Sequence, residues 1–356
     1  MNRRLIALKK RGKKKRLDGF IITHLKNIHY LVGFTGSNGI LYIPFHPSRD
    51  PLLMTDFRYK EQVKEETHDC EIKILSRSLW DDLAKVVKRA KHIGFESFHM
   101  IHSSFEKLRS SIPNCEFIPT EEWVEEIRMV KDREEIERIR RAQEITDQVF
   151  QELLPLITPG RRERDVAMEI EYLMRKKGAS GSSFETICAS GPRSALPHAR
   201  AGTKRIQKGD FVTLDMGAVF EGYCSDMTRT VFVGKATESQ KKVYGIVLRA
   251  HKAGLRYLKP RRRCADVDRR TRGIIKREGY GRAFGHGTGH GVGLEVHELP
   301  VLYSKSTRVL KRRMVVTVEP GIYLPKRWGV RIEDLVLIRN EGYEILSKSP
   351  KKLMEL

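Results

Sequence analysis

Apolar and polar positions follow two successive styles along the chain. From Asp18 to about Glu125, short apolar runs are separated by helical periods. The runs Asp18-Gly-Phe-Ile-Ile-Thr, Gly39-Ile-Leu-Tyr-Ile-Pro, Pro51-Leu-Leu-Met-Thr, Glu71-Ile-Lys-Ile-Leu and His92-Ile-Gly-Phe-Glu predict strands. Trp80 to Ala90 and Ser103 to Ile112 carry the spacing of helices between them. Such alternation predicts an α/β layer of about a hundred residues.

Past Thr120 the pattern changes. Apolar residues at Ile136, Ile139, Ile145 and Val149 predict a long amphipathic helix after Lys131. The domain boundary is placed near Met129, giving domains 1–128 and 129–356. Helices are expected from Glu163 to Lys177, after Thr237, and from Ala265 to Glu278. Thr237-Glu-Ser-Gln has the form of a capping box. Strands are expected over Phe184 to Ala189, Phe211 to Met216, Ser225 to Val233, Met314 to Glu319 and, as one run, Gly329 to Ile338. Helices packed on a mostly antiparallel sheet make this half an α+β layer.

Composition narrows the class. No apolar run approaches the roughly 18 residues of a membrane span, and no apolar stretch follows the basic segment Met1 to Arg16 as a secretory signal requires. Five scattered cysteines without a C-x-x-C pair fit a reducing cytoplasm. Lys and Arg number 68 against 45 Asp and Glu, a formal charge of +23, which raises the question of an acidic partner. The two basic clusters, Lys9 to Arg16 and Lys259 to Arg263 with Arg269, Arg270 and Arg272, lack the interleaved aromatics of single-strand binders. They are read as solvated faces, with no specific nucleic-acid partner and no membrane. Only five Asn and six Gln occur, which with the high charge points to heat adaptation through ion pairs.

The chemistry lies in acidic and histidine positions. Lys208 to Gly217 and Glu221 to Thr230 predict a hairpin centred between Phe220 and Glu221, setting Asp215 opposite Asp226. Facing carboxylates repel, so a cation between them is expected, and a hard divalent metal suits oxygen ligands. Glu319 and Glu333 also sit in strand-like apolar surroundings, where an unpaired carboxylate is costly. The stretch Ala283-Phe-Gly-His-Gly-Thr-Gly-His-Gly-Val-Gly-Leu-Glu-Val-His-Glu offers His286, His290 and His297 among five glycines, read as letting the backbone approach a ligand closely. It does not match a dinucleotide-binding G-x-G-x-x-G unit. His198 stands apart, in Ser194-Ala-Leu-Pro-His-Ala-Arg.

Asp215, Asp226, His290, Glu319 and Glu333, with Gly-Thr-Gly-His-Gly-Val-Gly, Val-Glu-Pro-Gly-Ile-Tyr and Arg-Ile-Glu-Asp around the last three, resemble the dinuclear metal site of the pita-bread peptidases. Pro197-His-Ala and Val296-His-Glu are similar to the Xaa-Pro peptidases, aminopeptidase P and prolidase, and Asn27-Ile-His-Tyr-Leu-Val-Gly-Phe-Thr-Gly-Ser resembles their creatinase-type N-terminal domain. The resemblance implies an α/β creatinase-like domain followed by an α+β pita-bread catalytic domain. It further implies two divalent ions, manganese foremost with cobalt, zinc or iron as alternatives, bridged by Asp226 and Glu333. Asp215 would complete one ion, and His290 with Glu319 the other. Glu319 would move the proton, His198 and His297 would steady substrate and oxyanion, His286 would line the proline pocket, and Tyr323 and Arg331 would orient Asp215. A homodimer acting on peptides with proline at the second position is implied too.

One departure bears on substrate length. Where some prolidases place an Arg four residues beyond the second active-site His, this chain has Val301. The sequence therefore favours an aminopeptidase P-like activity, with Xaa-Pro dipeptidase as the alternative. Other readings are a pita-bread binding module that has lost its metals, a methionine aminopeptidase and creatinase. The intact ligand set argues against the first and last, and the extra N-terminal domain against the second.

Overall fold

The short apolar runs of the first hundred residues pair into a single mixed sheet. The computed structural model describes residues 3–46, 48–75 and 78–356 and divides into two units, Met1–Arg128 and Met129–Leu356. In the first unit the strand order is Glu71–Leu75, Leu52–Asp56, Ile40–Pro44, Gly19–Ile22, His92–Glu96, Glu116–Thr120. The Ile40–Pro44 strand is antiparallel to both neighbours, and the remaining pairs are parallel. Gly19–Ile22 is buried throughout, which is why it reads as a continuous apolar run. Helices Leu79–Val87 and His102–Ser111 set Leu83, Val87 and Leu108 against Ile21, Met54 and Ile93. The basic cluster at the start belongs to the helix Arg3–Lys14, which buries Leu5 and Leu8.

The second unit opens on the helix Arg133–Leu153. Asp132 accepts a hydrogen bond from the Glu135 amide at 2.9 Å, and the Glu135 carboxylate accepts from the Asp132 amide at 2.8 Å, closing a capping box. Thr237 and Gln240 close another at the start of the helix Glu238–Tyr257, where the sequence has that form. The helices Glu163–Lys176 and Cys264–Arg277 complete the helical layer. Among the described residues, no helix is long and apolar enough to cross a membrane.

Two antiparallel sheets carry the chemistry-bearing strands. One has the order Met227–Phe232, Phe211–Met216, Ile187–Ser190, and the other Glu298–Leu302, Gly289–Gly291, Val315–Val318, Asp334–Ile338, Tyr343–Ile345. Arg229 and Asp334, both fully buried, tie the first sheet to the second: Arg229 Nη2 lies 2.8 Å from Asp334 Oδ1, and Nη1 donates to the main-chain oxygen of Glu333.

Two expectations need correction. The hairpin turns on Glu221 and Gly222, both with positive φ (45° and 81°), one residue later than expected. A two-residue hairpin of the twist-compatible kind needs positive φ at both central positions, and Glu221-Gly222 supplies it where Phe220-Glu221 cannot. Thr228, not Asp226, therefore faces Asp215. The slip is two residues in pairing, so Asp226 keeps its face and becomes the diagonal neighbour of Asp215. Second, Gly329 to Ile338 is not one strand. Trp328–Arg331 pairs with Gly321–Leu324, whereas Asp334–Ile338 pairs with Val315–Val318, and Glu333 stands at the break.

Candidate metal centre

The five acidic and imidazole positions singled out from the sequence come to one place in the second unit, each carried by a strand or strand end. Asp215 lies near the end of Phe211–Met216, Asp226 just before Met227–Phe232, His290 within Gly289–Gly291, Glu319 just after Val315–Val318, and Glu333 at the break between its two strands. The tightest group is Asp226, His290 and Glu333, all buried, with one ligand atom from each lying within 4.8 Å of the others. His290 Nε2 is 3.5 Å from Asp226 Oδ2 and 3.4 Å from Glu319 Oε1. His290 Nδ1 lies 3.0 Å from the Gly291 carbonyl oxygen. That contact assigns the ring proton to Nδ1 and leaves the Nε2 lone pair facing the carboxylates.

Four carboxylates share this space, and the cost is legible in their protonation. Burial, then the charges of Glu333, Asp215 and Glu319, pushes Asp226 well above the usual carboxylate range. Burial, then Glu319 and Asp215, does the same to Glu333, and Glu319 is raised chiefly by burial. Asp215 Oδ1 and Glu333 Oε1 are buried without a hydrogen-bond partner. Orphaned carboxylate oxygens beside an imidazole lone pair are the donor set of a divalent cation, which would offset both the burial and the mutual repulsion of these charges.

Neighbouring side chains fix the free ends. Arg331 Nη2 donates to Asp215 Oδ2 at 2.6 Å, and Nη1 donates to Tyr323 OH at 2.9 Å. Tyr323 OH is 2.9 Å from His286 Nε2, so His286, Tyr323, Arg331 and Asp215 form a chain. Sequence reasoning missed Thr228 and Thr317. Thr228 Oγ1 donates to Glu333 Oε2 at 2.7 Å and accepts from Arg331 Nε at 3.0 Å. Thr317 Oγ1 lies 3.3 Å from Glu319 Oε1 and accepts from the His290 amide at 3.1 Å. Each threonine is two residues from a carboxylate, hence on its face of the strand, and that period was the available signal.

The glycine-rich stretch acts differently from the expectation. A Cβ on Gly289 would stand 2.1 Å from the Thr317 carbonyl oxygen, and one on Gly291 would stand 2.2 Å from that of Leu299. These glycines admit neighbouring strands, not a ligand, and so let His290 sit between close-packed ladders. Gly289→Ala is expected to lower the melting temperature by the equivalent of about 1–3 kcal/mol and to remove any stabilisation by added metal. Thermal scans with and without Mn check both effects.

His297 stacks edge-on against His290, centroids 4.3 Å apart. Its pKa is lowered to about 4 by partial burial, then by His290, with His198 acting in the same direction. His198 is exposed, and His297, packed on His290 with its outer edge open to solvent, borders the cluster beside it. His286, half-buried, packs edge-on against Phe284 at 5.0 Å. In the first unit His24, His99 and Glu125 also lie close enough to hold an ion. There the two imidazoles stack face to face, 3.8 Å apart and 3° from parallel, so their in-plane lone pairs cannot converge on one ion.

The model of metallopeptidase family M24 matches residues 137–340, and that of the creatinase/prolidase N-terminal domain matches residues 4–130. A Xaa-Pro dipeptidase of Pyrococcus furiosus is 40% identical over 99% of this chain and 100% of its own length. A solved Xaa-Pro dipeptidase from Bacillus anthracis is 42% identical with a TM-score of 0.96, covering 99% of each chain. A solved X-Pro aminopeptidase from Thermotoga maritima is 38% identical with a TM-score of 0.90, again over 99% of each.

Proposed function

The chain belongs to metallopeptidase family M24, with a creatinase-type N-terminal domain and a pita-bread domain, and from that premise we propose that it is a Xaa-Pro dipeptidase. It is a hydrolase, and its family implies divalent metal ions. The relatives named Xaa-Pro dipeptidase, from two Pyrococcus species and Bacillus anthracis, favour the dipeptidase over the aminopeptidase P-like activity that Val301 suggested. Val301 was weak ground, because a carboxylate can be met by a guanidinium reaching from any strand and not only from one sequence offset.

The observation that carries the metal reading is the crowd of buried carboxylates around His290 Nε2. Asp215, Asp226, His290, Glu319 and Glu333 would hold two divalent ions, with manganese the first to test and cobalt, zinc and iron the alternatives. Such a pair supplies Lewis acidity, lowering the pKa of water and polarising a carbonyl. Glu319, with Thr317 and His290 beside its Oε1, keeps Oε2 to take a proton and hand it to the leaving proline nitrogen. With its pKa near 4, His297 is neutral at pH 7 and acts as a hydrogen-bond donor, beside His198, toward substrate oxygen. His286, held between Phe284 and Tyr323, lines the pocket for the proline ring. Proline's nitrogen lacks the donor that general peptidases engage, so a shaped pocket replaces it. Five free cysteines support a reducing cytoplasm, and the resemblance supports a homodimer.

The decisive experiment is a length series on the metal-loaded protein. Hydrolysis of Xaa-Pro faster than Xaa-Pro-Xaa supports the dipeptidase; the reverse order overturns it. Tyr323→Phe removes the hydroxyl joining His286 to Arg331. It is expected to lower kcat/KM by about 10–100-fold with the melting temperature little changed. Activity at the parent level would remove Tyr323 from the mechanism.

A further inference from the structure

We propose that the second unit holds a binding site for a short oligophosphate chain, built around Tyr257 where the helix Glu238–Tyr257 turns toward Cys264–Arg277. Two cavities flank this turn, of about 490 and 850 Å³. Tyr257, Arg270 and Arg277, with the ion pair Arg269–Asp266, line the first; Lys259, Arg261, Arg262 and Arg312 line the second. Tyr257 joins them, because the guanidinium of Arg262 lies 4.8 Å and that of Arg270 5.3 Å from its ring centre. Sequence alone found no aromatic within this basic cluster; the fold supplies one from the preceding helix.

Three features separate this patch from a generally basic surface. On the same two helices Arg249 pairs with Glu278 at 2.6 Å and Arg269 with Asp266 at 2.7 Å. Among the described residues, the other six cations that line the two cavities have no ion-pair partner, and Arg262 Nε is buried without a hydrogen-bond acceptor. Five of the six are arginines, whose planar fork matches phosphate oxygens in pairs, whereas solubility alone is served as well by lysine. The turn is held still: Arg261 takes a φ of 68°, and the pairs Arg261 N to Leu310 O (2.9 Å), Leu310 N to Arg262 O (2.8 Å) and Cys264 N to Arg308 O (2.9 Å) tie it to the neighbouring segment.

The ligand class follows from what is missing around Tyr257. The ring is already engaged by two guanidinium groups, which compete with a nucleic-acid base for it. The first cavity has the volume of a small-molecule site. Asp266 lines the first cavity, paired with Arg269, and Glu341 the second, and the two carboxylates limit how far a run of negative charge can extend.

The test is calorimetric titration of inorganic tripolyphosphate into the metal-free full chain at 150 mM salt, metal-free so that the probe cannot act by chelation. Saturable binding is expected, weakened at least tenfold by Arg262→Glu or Arg270→Glu, with Lys235→Glu, an exposed residue outside the turn, changing it less than twofold. Arg270 is exposed, so its replacement leaves the fold intact. Equal losses in all three variants would reduce the site to a diffuse field and overturn it. Absence of saturable binding would overturn it too, and tighter Arg270-dependent binding of a single-stranded oligonucleotide than of tripolyphosphate would overturn the ligand class.

Discussion

Asp226→Asn should abolish Xaa-Pro hydrolysis and yet make the metal-free chain more stable. Asp226 is 5% exposed, and its protonation is raised by burial and three neighbouring carboxylates. In the absence of cations its charge is a liability, and an amide of the same shape removes it. About 1 kcal/mol of relief corresponds to about 2–4 °C in melting temperature for a unit of this size. With cations present the balance reverses, because a carboxylate that would hold them is gone. A loss of at least about a thousandfold in kcat/KM, roughly 4 kcal/mol of transition-state stabilisation, is expected. Assays with added Mn or Co, paired with thermal scans in chelator, test both halves. A variant that keeps a tenth of the activity, or that melts lower than the parent in chelator, would contradict this account. The pattern is the ordinary trade between function and stability, localised to one residue.

Chelation of the parent protein should lower its melting temperature strongly at pH 8 and little at pH 5. Asp226 and Glu333 have raised pKa values in the metal-free fold, so the folded chain holds more protons than the unfolded one. Stability of the metal-free chain is therefore fullest below the ordinary carboxylate range, near pH 4, and falls as pH rises through the raised values. Protons and cations compete for the same oxygens, so stabilisation by metal grows across the same window. At a free metal concentration a thousandfold above Kd the gain is about 4 kcal/mol, or about 8–16 °C. A chelator effect independent of pH, or larger at pH 5, would count against this cluster as the metal centre.

Which parts were legible in the sequence follows from physical period. Short apolar strands buried on both faces and helices with one apolar stripe announce themselves, as Phe211–Met216 and Arg133–Leu153 do. What stayed hidden depends on tertiary choices. The break at Glu333 shows in the sequence only as two adjacent polar residues, Glu333 and Asp334, between the buried Val330 and Ile332 and the buried run Leu335 to Ile338, and nothing local says that the two sides join different sheets. The turn at Glu221-Gly222 was misplaced because a glutamate with positive φ is uncommon. The five acidic and imidazole positions were found through their motifs, whereas Thr228 and Thr317 carry no motif and gain meaning only from the carboxylates they touch. The patch at Tyr257 required two helices to be brought together.

The break at Glu333 has a further consequence for how the second unit opens. Asp226 borders the sheet of Phe211–Met216, while Glu333 borders that of Val315–Val318, and Thr228 and Glu333 meet although 105 residues separate them along the chain. A ligand held jointly by the two carboxylates closes that long loop as a crosslink would. Amide hydrogens in both sheets should then exchange in one concerted opening when metal is bound, and in two separate openings when it is stripped.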